Sequence, residues 1–88
     1  MKIKPGFMLR EIDDTSVVVA VGEASEHFNG LITLNATGSF LWKRLQQGAT
    51  EQELVQALCG AFEVDPDTAR ADTAEFVAAA RKAGFLDE

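Results

Sequence analysis

The residues with the most chemical potential in this chain are one histidine, His27, one cysteine, Cys59, and two runs of carboxylates. An imidazole can serve as a general base or a metal ligand, and a thiolate as a nucleophile, but each needs neighbours that set its proton state. His27 stands in the polar stretch GEASEHFN with no nucleophile pattern beside it, and reads as a solvated loop residue. Cys59 follows Leu58 and has Glu63 as its nearest charged neighbour downstream, so it lacks an electropositive setting and reads as a small apolar packing group. A single cysteine excludes an intramolecular disulfide and a Cys-x-x-Cys pair for zinc or thiol exchange. The carboxylates Glu51 and Glu53, and Glu63, Asp65 and Asp67, fall in or just before the first turn of expected helices, where they complement the helix dipole. With no triad, carboxylate dyad or glycine-rich phosphate loop, no catalytic residue, metal site or cofactor is assigned, and an enzyme is not expected.

Charge narrows the partners. The formal net charge is -6, and the second half of the chain carries the whole excess of acid over base. Such a surface repels phosphate backbones, which are bound by clustered Lys and Arg, so no nucleic-acid partner is expected. The opening stretch MKIKPGFMLREIDD lacks the apolar core of a signal peptide, and no apolar run approaches the roughly 20 residues needed to span a bilayer. A cytoplasmic protein without membrane contact is therefore expected. The 88 residues, 47% hydrophobic and 25% charged, suit one small globular domain over 1–88.

The elements follow from periodicity. Residues 7–12 and 16–21 read as two strands joined by the polar turn Asp13, Asp14 and Thr15. The second is nearly continuous in Val, which suggests a central strand buried on both faces. After the polar connection 22–29, residues 30–34 read as a third strand, with Ile32 and Leu34 alternating inward with Thr33. Asn35 then caps a first helix that stops near Gly48, and Thr50 with Glu53 forms a capping box ahead of the apolar face Leu54, Val55, Leu58 and Phe62. Asp65 caps a third helix with Pro66 at its first position. That helix should turn Phe76, Val77 and Ala80 inward and end before Gly84, leaving Phe85 and Leu86 as an apolar tail over the core. The expected fold is α+β and winged-helix-like, a three-stranded antiparallel sheet followed by three helices.

The run Leu34-Asn35-Ala36-Thr37-Gly38, then Trp42, Gly48, Thr50 with Glu53 and Leu54, Leu58, Phe62 with Val64, Asp72, Phe76 and the closing Gly84-Phe85-Leu86, resembles the PqqD-like family in order and spacing. The resemblance implies a RiPP recognition element, a non-catalytic domain that captures the leader of a ribosomally made precursor peptide. It implies that the leader adds as a strand beside Leu31, Ile32, Thr33 and Leu34 and packs against the third helix at Thr73, Val77, Ala80 and Arg81. It also implies a modifying enzyme as second partner, in PQQ biosynthesis a radical S-adenosylmethionine enzyme, to which the bound peptide is presented.

The residues themselves leave plainer readings beside these. A third strand at the edge of a meander offers unpaired N–H and C=O groups to an incoming chain, yet the same edge can be shielded by a loop or joined to a second copy in a homodimer. The small side chains of Ala69, Thr73, Ala79, Ala80 and Ala83 leave room for guest side chains, and equally let a helix approach a sheet closely. Asn35 and Gly38 have a structural role, capping and close packing, and Trp42 reads as core before it reads as a partner surface. A winged helix that reads DNA is the alternative on architecture alone, and the acidic second and third helices oppose it.

Overall fold

The structure is a computed structural model and describes residues 1–13, 15–21 and 32–87. The polar connection expected at 22–29 with His27, the start of the third strand at Gly30 and Leu31, and the turn residue Asp14 lie outside the described residues. In chain order the elements are β1 (Lys2–Ile3), β2 (Phe7–Ile12), β3 (Thr15–Ala20), β4 (Ile32–Leu34), α1 (Ala36–Gln47), α2 (Glu51–Ala61), α3 (Pro66–Ala83) and β5 (Leu86–Asp87). The fold is α+β, with a three-stranded antiparallel sheet followed by three helices, as the sequence leads one to expect.

In the main sheet the order is β2-β3-β4, which puts the Val-rich strand at the centre and β4 at an edge. Thr15 belongs to β3 and not to the turn, because it pairs with Ile12 across a two-residue connection. Asp13 holds φ at 54°, the positive value that the primed two-residue hairpin turns require. Ser16 and Val18 are buried on the inner face, whereas Val17 and Val19 are only half-buried. The expectation of burial on both faces is corrected accordingly: the helices cover one side of the sheet only, and the exposed large apolar residues Met8, Ile12 and Val21 belong to the other strand face by parity.

Three caps fix where the helices begin. The Gly38 N–H donates to Asn35 Oδ1 at 2.8 Å, and the Thr68 N–H donates to Asp65 Oδ1 at 2.8 Å ahead of Pro66. Thr50 and Glu53 complete the capping box, the Glu53 N–H donating to Thr50 Oγ1 and the Thr50 N–H to Glu53 Oε1. Each cap satisfies helix-end donors that have no partner within the helix, and is worth about 1 kcal/mol. Gly84 closes α3 in the left-handed conformation at φ 82°, its N–H shared between Ala80 and Arg81 carbonyls.

Two short strands had no signal in the sequence. Lys2–Ile3 pairs with Leu86–Asp87 in a separate antiparallel ribbon, and the Lys4 N–H donates to the Phe85 carbonyl at 2.8 Å. The apolar tail thus closes over the core by joining the N-terminus. Phe85 meets Trp42 edge-on at 5.3 Å and Phe7 at 4.8 Å, beside Leu41, Leu45, Leu54, Leu58 and Val77, all essentially without exposure. Trp42 is core, as read from the sequence, and its indole N–H has no hydrogen-bond partner among the described residues.

Candidate functional site

At the junction of β4 with α1 the chain turns from a strand edge into a helix within one residue, Asn35, whose backbone is still extended at φ -77° and ψ -179°. Its side chain binds the first helical turn, which brings Gly38 against Leu34. A Cβ on Gly38 would lie 3.2 Å from Asn35 Oδ1 and 3.5 Å from Leu34 Cβ, so only glycine allows this approach without a shift. Gly38 thereby packs closely on the flank of β4, beside an open space that it helps to line.

That space is a cleft between β4, the start of α1 and one face of α3. One part, of about 290 Å³, is lined by residues that include Asn35, Thr37, Gly38, Leu41 and Phe76. A second part, of about 460 Å³, reaches round the end of β4 to Thr15 and Thr33 and shares Asn35, Gly38 and Phe76 with the first. The lining is mixed: Leu34, Leu41, Phe76 and Ala79 are apolar, Thr15, Thr33, Asn35 and Thr37 are polar, and Asp72 and Glu75 are charged. An extended peptide can set apolar side chains on Leu34, Phe76 and Ala79 of such a surface while its main chain meets the strand edge.

The outer border of β4 carries no strand among the described residues. The opposite border, β2, is open in the same sense but bears Arg10 and Glu11, and Glu11 is tied to Lys43 of α1 by an ion pair. Charged side chains blunt an edge against pairing, so of the two borders β4 is the one suited to accept a segment.

The residues singled out from the sequence divide between edge and core. Ile32, Thr33 and Leu34 form the open border, Thr33 exposed and the other two half-buried against the core. Leu31 lies outside the described residues. Thr73, Val77 and Ala80 do not face the cleft; they are buried at 0%, 1% and 3% exposure on the side of α3 that meets its neighbours, α2 foremost. Arg81 is exposed and points a guanidinium N–H toward Met1 Sδ, at 3.8 Å. The face of α3 that does line the cleft is Asp72, Glu75, Phe76 and Ala79, one residue earlier and about 100° round the helix. Phe76, expected to point inward, is only half-buried for this reason.

Among the described residues no group of three or more His, Cys, Asp or Glu side chains could hold a metal ion, and no helix is long and apolar enough to cross a membrane. Cys59 is half-buried against the core, away from the residues that line the cleft.

Known proteins share this fold. The family described as coenzyme PQQ synthesis protein D (PqqD) matches residues 16–86. Among solved structures, TbiB1 in complex with the TbiA(beta) leader peptide is 28% identical, covering 99% of this chain and 100% of that one with a TM-score of 0.74. A lasso peptide synthetase B1 complexed with the leader peptide shares the fold at 22% identity, covering 98% and 96% of the two chains with a TM-score of 0.75. No curated protein matches this chain.

Proposed function

Because the chain belongs to the PqqD family, we propose that it is a RiPP recognition element, which binds the leader of a ribosomally made precursor peptide and performs no chemistry itself. The single observation that carries this reading is the border of β4, open among the described residues, lying beside a cleft partly lined by apolar side chains. A leader that adds as a fourth strand gains main-chain bonds from β4, while its inward side chains fill the space over Gly38 and Phe76. The leader-bound states of the two structural relatives support the same assignment.

The bound peptide is then presented to a peptide-modifying enzyme in the cytoplasm, a radical S-adenosylmethionine enzyme if the pathway is that of PQQ. Presentation needs the leader held and the remainder of the precursor free. Strand addition at an outer border does both, since the guest lies on the surface and its ends run off the sheet. In this reading the face of α3 toward the guest is Phe76 with Ala79, while Thr73, Val77 and Ala80 support that helix from behind.

Titrating isotope-labelled protein with a peptide selected from a randomised display library tests the assignment. Backbone amides of Ile32–Leu34 and of Asp72, Glu75, Phe76 and Ala79 should shift together. A selected peptide that leaves these amides unmoved places the site elsewhere, and a library without binders overturns the reading. A homodimer joined through β4 is the competing occupant, and sedimentation of the free protein as a dimer that peptide does not dissociate would favour it.

A further inference from the structure

Hydrogen-bond parity through the sheet singles out one residue of the open border. Just beyond the β2–β3 ladder, the Val21 N–H donates to the Gly6 carbonyl at 2.7 Å. In an antiparallel pair, bonded and non-bonded residue pairs alternate. The β2–β3 register runs unbroken from Phe7↔Ala20 to Ile12↔Thr15, so Thr15, Val17 and Val19 bond to β2. Ser16 and Val18 consequently turn their N–H and C=O groups to β4, where they face Leu34 and Ile32. Val17↔Thr33 is the pair between them that exchanges no bonds. Ile32 and Leu34 are thus consumed by the ladder, and the Thr33 N–H and C=O point out of the sheet, with no strand to meet them among the described residues.

Resting on the leader-binding reading, we infer that Thr33 is the backbone clamp that sets the register of the guest. A guest that adds antiparallel, as the strands of this sheet do, sets one residue on both groups of Thr33, with its side chain on the outer face of the sheet beside Thr33 and Val17. The residues before and after it turn to the inner face, toward Leu34, Gly38 and Phe76. The substrate class is therefore an extended segment with apolar side chains at two alternate positions flanking a solvent-facing one. Recognition by Thr33 is through its main chain, so its side chain can change while its N–H cannot.

Amide hydrogen exchange on the free protein reads the parity directly: Ile32 and Leu34 should be protected and Thr33 should not. With a display-selected peptide bound, protection of Thr33 should rise, and an N-methyl scan of that peptide should abolish binding at one residue while sparing both its neighbours. Thr33→Pro removes the clamping N–H without removing a ladder bond and should weaken the peptide roughly ten-fold or more. Should Thr33→Pro fail to fold, the exchange pattern and the N-methyl scan decide alone. A peptide that shifts the β4 and cleft amides but leaves Thr33 exchanging freely overturns the clamp and spares the leader-binding reading; a library with no binder overturns both.

Discussion

Ser16 on the central strand and Ser39 on α1 share a buried hydrogen bond, the Ser16 hydroxyl donating to Ser39 Oγ at 3.0 Å. The pair ties the strand that carries β4 to the helix whose first turn borders the cleft. Changing either serine to alanine strands a buried hydroxyl and should cost about 1–3 kcal/mol of stability, while the double variant should lose less than the sum of the two. Urea unfolding of the four proteins measures this, and strictly additive losses would show that the bond contributes nothing.

Two helix caps make stability depend on pH on the acid side. The Thr50 N–H holds the Glu53 carboxylate below its usual 4.5, and the Thr68 N–H holds Asp65 below its usual 3.8. A carboxylate whose folded value is depressed contributes stability that is full above its unfolded value and is lost as pH falls through the folded one. The urea midpoint should therefore be insensitive to these groups above 4.5 and decline below it. Glu53→Gln and Asp65→Asn keep a hydrogen-bonding oxygen but cannot titrate, so the decline should be shallower in the double variant.

Gly84 occupies the left-handed region at φ 82° with no atom within 4 Å of where a Cβ would stand. Space is not the constraint, only backbone conformation. Gly84→Ala should cost about 1–2 kcal/mol and lower the midpoint of thermal unfolding by several degrees, since this turn also delivers Phe85 to Trp42. An unchanged midpoint would mean that α3 can end elsewhere.

Asp72 and Glu75 give the cleft an acidic rim beside its uncharged polar and apolar lining. Peptides selected against the protein should carry Lys or Arg near the segment that crosses α3, and their affinity should fall as salt rises. Neutralising the rim with Asp72→Asn and Glu75→Gln should remove both the preference and most of the salt dependence.

What could be read from the sequence is what short-range rules encode. Asn35, the Thr50–Glu53 box and Asp65 ahead of Pro66 each act within a few residues, so all three helices and their starts were legible, as was the strand order that leaves β4 outermost. The ribbon of Lys2–Ile3 with Leu86–Asp87 was not, because two-residue strands carry no periodicity and their pairing spans nearly the whole chain. On α3 the inward facing of Val77 and Ala80 was legible, while that of Phe76, which is only half-buried, was less so for a different reason. Alanines at 69, 71, 74, 78, 79, 80 and 83 lie all round this helix, so no single apolar stripe marks its inner side. The small side chains at 69, 73 and 80 turned out to be buried, which is the close-approach reading, and the cleft fell to the face that carries Phe76.

Adjacent residues Phe76 and Val77 therefore separate binding from folding. Val77 is 1% exposed and lines no part of the cleft, whereas Phe76 is half-buried and lines both parts of it. Val77→Ala should lower stability by about 2 kcal/mol and leave the affinity of the folded protein for a selected peptide unchanged. Phe76→Ala removes the largest apolar group beneath the guest and should weaken binding roughly ten-fold or more, with a smaller loss of stability than Val77→Ala. The contrast is informative because helix propensity changes in the same direction in both variants, toward alanine, and cannot explain opposite outcomes. If Val77→Ala weakened the peptide as much as Phe76→Ala did, at temperatures where both proteins are folded, the guest would have to contact the opposite side of α3, and the cleft beside β4 could not be where the leader lies.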